Sequence, residues 1–148
     1  MNQKTYIEEL VKKFRVRADS SIDTPLPYQF RYDEDELQNS SEEERIYVEK
    51  FPVRQLIGAI NYIALCTRPD VSYAISLLAR YQDKVNLTIC QTIIHLLKFL
   101  FNTKHYDIRF SGSHITMVGY SDSDWAGDLV SRKSTTGYVL FIGNSPVN

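Results

Sequence analysis

The feature that most constrains the fold is a long run of helix-forming sequence between Tyr47 and Lys104. Apolar residues recur there at helical spacing in three successive groups, and turn-forming residues separate the groups. The pattern predicts a first helix of roughly 14 residues that opens at Phe51-Pro52, a second over 71–81, and a third from about Leu87 to Phe101. Three helices with short connections predict a small helical bundle.

The connection between the first two of these helices reads Thr67-Arg-Pro-Asp70. Thr67 is placed to cap the second helix, and Pro69 suits a first helical turn. Asp70, three residues after Thr67, completes a pattern that is typical of a capping box. We therefore expect a stop and an immediate restart of the helix at this point.

Two segments precede the helical run. Residues 1–31 begin with an amphipathic helix of roughly a dozen residues and continue into a proline-containing linker. Residues 32–49 hold eight acids against one arginine, a charge of −7, and this composition is typical of a solvated, flexible loop. Since the whole chain has a net charge of −1, the remainder carries +6. That mildly basic remainder is compatible with a polyanionic partner but is less dense than the face of an autonomous nucleic-acid binder.

The two cysteines and the N-terminus bear on the cellular compartment. Cys66 and Cys90 lie in apolar, helix-like surroundings with no histidine or cysteine at zinc-ligand spacing, so both are predicted to be reduced, buried thiols. The N-terminus lacks the apolar segment of a signal peptide, and the chain has no run of about 18 apolar residues. We expect an intracellular protein, cytoplasmic or nuclear, with no membrane partner. His95 is predicted to be a packing or surface histidine.

Residues 105–148 change from helix-forming to strand-forming sequence. Strands are predicted over 115–122 and 136–142, with a turn beginning at Gly143-Asn144, and 104–110 is a candidate edge strand. With the helices of residues 50–104, the chain is predicted to be an α+β protein. Its architecture would be a three- to four-helix bundle followed by an incomplete antiparallel β-sheet.

Three aspartates follow the first predicted strand and gather near its end. Asp122 and Asp124 are two residues apart and would share a face if the strand continued. Asp128 lies beside a glycine turn, where a carboxylate commonly caps or solvates a loop. The pattern is equally compatible with three solvent-exposed aspartates of a turn that have no catalytic role. Trp125 is predicted to anchor the turn by packing rather than to stack on a base.

Several stretches resemble the Pol polyprotein of copia-type retrotransposons. The segments 120–128 (YSDSDWAGD) and 132–139 (RKSTTGYV) are similar to YSDADWAGD and RKSTSGYVF, with which the ribonuclease H domain of that family opens. The segments 51–58 (FPVRQLIG) and 66–81 (CTRPDVSYAISLLARY) resemble the stretch that precedes it in the family. Residues 3–14 are more weakly similar to a phrase near the end of the polymerase.

The resemblance implies a role for each part of the chain. Residues 1–31 would be the end of a reverse transcriptase, residues 50–104 its thumb and connection, and residues 105–148 a truncated ribonuclease H-like fold. Such a domain hydrolyses the RNA strand of a hybrid with two Mg²⁺ or Mn²⁺ ions, which several carboxylates hold. Asp122 matches the first of these and would be both a catalytic and a metal-binding residue. Because the family's later carboxylates lie beyond Asn148, the chain alone is expected to be inactive and to bind no metal.

Four cations of the helical region are candidates for phosphate contacts: Arg54, Arg68, Arg80 and Lys98. They are equally compatible with solvated helix charges. The third helix departs from the family pattern, since Ile94-His95 stands where a Lys-Arg pair is usual, and each lost cation would weaken binding to nucleic acid. The implied partner is an RNA:DNA hybrid or another nucleic acid, or another chain derived from Pol. The alternatives are a repurposed, non-catalytic binding module for nucleic acid or protein, and a metal nuclease that another chain completes.

Overall fold

Helices and strands occupy different parts of the chain. The computed structural model describes residues 1–17, 21–33, 35–110, 116–123, 134 and 136–147. Residues Asn2–Tyr106 form a helical unit, and the described residues from Asp107 onward form, with Met1, a second unit that contains a β-sheet. Within the described residues the structure confirms the predicted α+β class with an antiparallel sheet.

The described part of the first unit contains the predicted helices and two further helices in the acidic segment. They are α1 (Lys4–Lys13), α2 (Glu36–Asn39), α3 (Glu42–Lys50), α4 (Val53–Cys66), α5 (Ser72–Ala79) and α6 (Leu87–Asn102). The ends of α4 and α6 agree with the predicted first and third helices to within about two residues. The second predicted helix is shorter, because Pro69–Val71 forms a separate 3₁₀ turn before α5. None of the described helices is long and apolar enough to cross a membrane.

The core of the helical unit is built around α6. This helix contacts α1, α3, α4 and α5, and α4 also packs against α5. Completely buried aliphatic side chains come from four helices and the 3₁₀ turn, and they include Ile7, Leu56, Ile60, Ile63, Val71, Ile75, Leu78, Ile89, Ile93, Leu96, Leu97 and Leu100. Each such side chain contributes about 1.5–3 kcal/mol to folding. Every buried apolar residue among those described lies between Ile7 and Leu100, so the stability of the described structure resides in this unit.

The acidic segment is largely helical, in contrast to the predicted flexible loop. A capping box begins α3: the Glu44 backbone N–H donates to Ser41 Oγ at 3.3 Å, and the Ser41 N–H donates to Glu44 Oε2 at 2.8 Å. Acidic residues also fill the first turn of α3, where the helix dipole favours negative charge. Local capping therefore compensates for the high charge that suggested a loop.

The acidic segment is also attached to the start of α6. The Asn86 side chain caps α6 by accepting the Ile89 N–H at 2.9 Å, and its Nδ2 donates to the Asp33 carbonyl oxygen at 3.0 Å. Glu36 Oε1 accepts the Thr88 N–H at 3.1 Å. These bonds satisfy N-terminal donors of α6 that would otherwise lack a partner.

The capping box predicted for Thr67 and Asp70 is wrong. Thr67 instead ends α4, and its hydroxyl donates to Gln3 Oε1 at 2.6 Å. The Asp70 carboxylate accepts two hydrogen bonds from Arg68, at 2.9 Å from Nε and 2.7 Å from Nη2. Asp70 therefore orients a neighbouring guanidinium and does not return to the backbone of Thr67.

Arg68 connects the end of α4 with the end of α6. Only 2% of the surface of Arg68 is exposed to solvent. Beyond its bonds to Asp70, the guanidinium donates to the Thr103 carbonyl oxygen at 3.1 Å and to Thr103 Oγ1 at 2.7 Å. It also lies 5.5 Å from the ring centroid of Phe99 and 5.2 Å from that of Tyr106. The bidentate carboxylate and the two aromatic rings compensate for the free-energy cost of burying this positive charge.

The second unit contains a three-stranded antiparallel sheet in the order β1-β2-β3. Its strands are β1 (Met117–Ser123), β2 (Thr136–Ile142) and β3 (Ser145–Pro146). Met117 pairs with Ile142 and Ser123 with Thr136, which confirms both predicted strands. The predicted turn after β2 is also present, with Gly143 at a φ of 60° that glycine adopts without strain. The candidate edge strand over 104–110 is not assigned as a strand, and Ile108 exchanges two backbone hydrogen bonds with Met1.

The prediction of two buried thiols is correct for Cys90 and wrong for Cys66. Both are free cysteines, and Cys66 is exposed at the last residue of α4. Cys90 is fully buried in the core, and burial raises the pKa of its thiol to about 12. A protonated, inaccessible thiol is a poor nucleophile, so the two cysteines should differ widely in reactivity.

We expect Arg68→Leu to destabilise the helical unit by about 2–3 kcal/mol. The substitution removes the donor to the buried Thr103 hydroxyl and one of the two donors to the Thr103 carbonyl, which keeps the Tyr106 N–H at 2.9 Å. Arg54→Leu is a matched control, because Arg54 also pairs with an aspartate but has a side chain that is 77% exposed, and it should cost less than about 1 kcal/mol. Urea unfolding followed by far-ultraviolet circular dichroism measures both changes. Equal losses in the two variants would contradict a structural role specific to Arg68.

We also expect only one thiol of the native protein to react rapidly with a disulfide reagent such as Ellman's reagent near neutral pH. That thiol is Cys66, since Cys90 becomes accessible only when the helical unit opens. Addition of denaturant should raise the stoichiometry to two thiols per chain, and Cys66→Ser should abolish the rapid reaction. Rapid reaction of both cysteines in the native state would show that Cys90 is not buried.

Candidate nucleic-acid interface

Asp122 belongs to the unit that contains the β-sheet, and the four predicted phosphate-contacting cations belong to the helical unit. Asp122 is exposed on β1, opposite Gly137 of β2. Within the described part of the chain, no group of three or more His, Cys, Asp or Glu side chains is arranged to hold a metal ion. Asp124, Trp125 and Asp128 lie outside the described residues. The described surroundings of Asp122 therefore do not form a complete cation site.

The four predicted phosphate-contacting cations occupy different environments. Arg54 is exposed in the first turn of α4, where its Nη2 lies 2.9 Å from Asp83 Oδ1. The guanidinium of Arg68 is buried and directed at protein groups, an arrangement that favours a structural role. Arg80 is exposed at the C-cap of α5, and Lys98 is partly exposed on α6. Of the four, Arg54 adjoins a groove.

The groove lies between α1 and α4 and has a volume of about 420 Å³. Its residues are Tyr6, Glu9, Leu10, Lys13 and Phe14 on one side, and Arg54, Gln55, Gly58 and Ala59 on the other. Apolar atoms of Leu10, Phe14 and Ala59 alternate with polar and charged groups. The groove is open to solvent and combines an apolar surface with a few charged groups.

Gly58 is the most informative residue of the groove. It lies inside α4, where glycine is less favourable than alanine by about 1 kcal/mol. A Cβ atom built on Gly58 would meet no atom within 4 Å, so packing within the chain does not require a glycine. The absent side chain instead leaves the backbone of α4 open to the groove. Sequence reasoning missed this residue, although the helical cost of an isolated glycine is visible from the sequence pattern alone.

Three exposed residues of α4 form a continuous stripe. Arg54, Gly58 and Tyr62 are four residues apart and therefore lie on one face of the helix. The ring of Tyr62 remains 53% exposed and packs edge-on against Tyr6 of α1, with 5.5 Å between the ring centroids. The stripe thus presents a cation, an open backbone and an aromatic ring in succession. A surface of this kind suits a ligand with phosphate groups and flat or apolar parts.

The end of α1 adds positive charge beside the groove. Lys12, Lys13, Arg15 and Arg17 are all exposed within six residues, and none forms an ion pair with another described residue. Lys13 lies 5.3 Å from the ring centroid of Phe14. Arg15 ends the helix in the left-handed region with a φ of 52°. Glu9 is the acid of the groove itself, so the charge of this region is mainly positive.

His95 has a structural environment. One ring nitrogen, Nε2, lies 2.8 Å from the Thr24 carbonyl oxygen. This contact connects α6 with the proline-containing linker, in agreement with the predicted packing role. Of the candidate residues on the helices, the geometry therefore favours Arg54 and the groove beside it.

Comparison with known proteins shows similarity over the full length of the chain. It is 27% identical over its full length to the retrovirus-related Pol polyprotein from transposon TNT 1-94 of Nicotiana tabacum, and 28% identical over its full length to that from transposon RE1 of Arabidopsis thaliana. The chain covers 11% and 10% of these two relatives. It is also 36% identical over 98 residues to secreted RxLR effector protein 161 of Plasmopara viticola, an alignment that covers 66% of this chain and 69% of that protein.

No family model and no solved structure matches the chain. The full-length similarity to transposon Pol polyproteins agrees with the resemblance that the sequence motifs indicate. The chain belongs to the family of copia-type retrotransposon Pol polyproteins.

Proposed function

We propose that this chain is the part of a copia-type Pol polyprotein that spans the end of the reverse transcriptase and the start of ribonuclease H. In this proposal the helical unit binds nucleic acid in the α1–α4 groove, and the chain does not catalyse hydrolysis by itself. The single observation that carries the binding proposal is the open backbone at Gly58, between Arg54 and Tyr62. A helix-interior glycine that packing does not require is best explained by a partner that approaches the helix closely.

A sugar–phosphate backbone fits this groove chemically. The cations at its border, Lys13 and Arg54, would neutralise phosphates, and each phosphate contact contributes to a salt-dependent affinity. The rings of Tyr6, Phe14 and Tyr62 offer flat apolar surfaces to sugars or to exposed bases. Since such contacts do not read base edges, we expect binding with little sequence preference.

The proposal of catalytic inactivity rests on the number of carboxylates. Asp122 matches the first metal-binding aspartate of the family, and it is exposed on β1 opposite a glycine. The two Mg²⁺ ions that the family uses for hydrolysis need several carboxylates to fix their positions. We therefore propose that hydrolysis requires carboxylates from outside the described residues. In this proposal the described residues supply one candidate ligand, Asp122, and a binding surface.

Replacement of Gly58 tests the binding site directly. We expect Gly58→Leu to weaken affinity for a short RNA:DNA hybrid by at least about tenfold, because the side chain fills the groove. The same change should leave the fold at least as stable, since leucine is a better helix former by nearly 1 kcal/mol. Ser76→Leu, at an exposed position of α5 outside the groove, is the matched control and should bind like the unmodified chain. Fluorescence anisotropy measures binding, and equal affinities for all three proteins would contradict the proposed site.

Incubation of the purified chain with an RNA:DNA hybrid and Mg²⁺ or Mn²⁺ tests inactivity. We expect intact RNA on a denaturing gel, with the same result for Asp122→Asn. A complete cellular ribonuclease H serves as the positive control for the substrate. Cleavage that Asp122→Asn abolishes would contradict the proposal and would mean that the chain assembles a working metal site.

A further inference from the structure

Arg54, the cation of the exposed stripe on α4, forms an ion pair with Asp83. Arg54 Nη2 lies 2.9 Å from Asp83 Oδ1, and both side chains are mostly exposed, 77% for Arg54 and 75% for Asp83. Asp83 lies in the turn between α5 and α6, 29 residues along the chain from Arg54. The contact is a single hydrogen bond in water and is therefore easily exchanged for another anion. A phosphate that enters the groove would meet Arg54 already paired with a carboxylate.

The acidic segment fixes the turn that carries Asp83. The ring of Tyr32 stacks on that of Tyr81 with 4.2 Å between centroids, and the Tyr32 hydroxyl donates to the Lys84 carbonyl oxygen at 2.8 Å. Two backbone bonds close the turn, from Tyr81 N–H to the Leu78 oxygen and from Lys84 N–H to the Tyr81 oxygen. Asn86, at the end of the turn, is bonded to Asp33. These contacts hold the turn in place, so the ion pair between Asp83 and Arg54 costs little backbone entropy.

We propose that Asp83 is a built-in competitor of phosphate at Arg54 and that it limits the affinity of the α1–α4 groove for nucleic acid. This inference rests on the proposed function of the groove. Binding of a phosphate at Arg54 would displace the Asp83 carboxylate into solvent. The affinity of the groove for nucleic acid would therefore be lower than it would be if Arg54 had no ion-pair partner. The acidic carboxylate also repels phosphates beside the groove, where Lys13 and the end of α1 attract them.

The competition predicts two measurable effects of Asp83→Asn. Affinity for a short RNA:DNA hybrid should rise by roughly two- to fivefold at low salt, which is the range expected for release of one exposed ion pair. The plot of the logarithm of the affinity against the logarithm of the salt concentration should become steeper, by up to about one phosphate contact. Both effects should require Arg54. When Arg54 is replaced by alanine, Asp83→Asn should therefore change the affinity no more than removal of an acidic charge far from the ion pair.

The experiment compares the unmodified chain with Asp83→Asn, Arg54→Ala, the double variant and Glu43→Gln in anisotropy titrations at several NaCl concentrations. Glu43 is an exposed acid of α3, and its replacement removes the same charge away from the ion pair. A gain in Asp83→Asn that exceeds the gain in Glu43→Gln and disappears with Arg54 supports the proposal. Equal gains in Asp83→Asn and Glu43→Gln, or a gain that persists without Arg54, would overturn it.

The outcome for Gly58→Leu distinguishes failure of this inference from failure of the proposed function. If Gly58→Leu weakens binding while Asp83→Asn behaves like Glu43→Gln, the groove binds nucleic acid and only the competitor role of Asp83 is overturned. Two outcomes would overturn both the proposed function and the role of Asp83. One is that the unmodified chain does not bind the hybrid, and the other is that Gly58→Leu binds the hybrid as tightly as the unmodified chain.

Discussion

Burial of α6 is the constraint on which the rest of the helical unit depends. Its apolar residues are too numerous for one face, and α1, α3, α4 and α5 all contact it. Both ends of the helix are held by specific polar bonds, with Asn86 at the start and Thr103, bonded to Arg68, at the finish. The apolar contacts supply most of the stability, and the polar bonds at the ends determine the position of each neighbouring segment. The α1–α4 groove is a consequence of this arrangement.

The sequence predicted α1, α4 and α6 well, because each has a strong hydrophobic period over many residues. It predicted the first two strands from their content of strand-forming residues. It predicted the acidic segment poorly, because composition was given more weight than the capping box at Ser41 and Glu44. Cys66 was placed in the core by its apolar neighbours, but it falls on the exposed side of the last turn of α4.

Predictions for the polar residues depended on tertiary contacts that no local pattern contains. Arg68 and Arg54 are both arginines in helical sequence, and only the fold makes one a buried link and the other a surface cation. Asp70 was assigned to a cap because its spacing from Thr67 fits, but the nearer guanidinium of Arg68 takes its carboxylate. The groove itself was not predictable, because it requires knowledge of which faces of α1 and α4 adjoin. Membership in the copia-type Pol family was accessible from motifs alone, since those motifs are long and ordered along the chain.

The central claim is that the open backbone of α4 at Gly58 is where nucleic acid binds. The most direct measurement is a titration of the isotopically labelled chain with a short RNA:DNA hybrid, followed by amide chemical shifts. The account predicts that the largest shift changes occur at Gly58 and its neighbours in the groove, near Lys13, Arg54 and Tyr62. Changes concentrated on β1 around Asp122, with the α1–α4 groove unaffected, would contradict it.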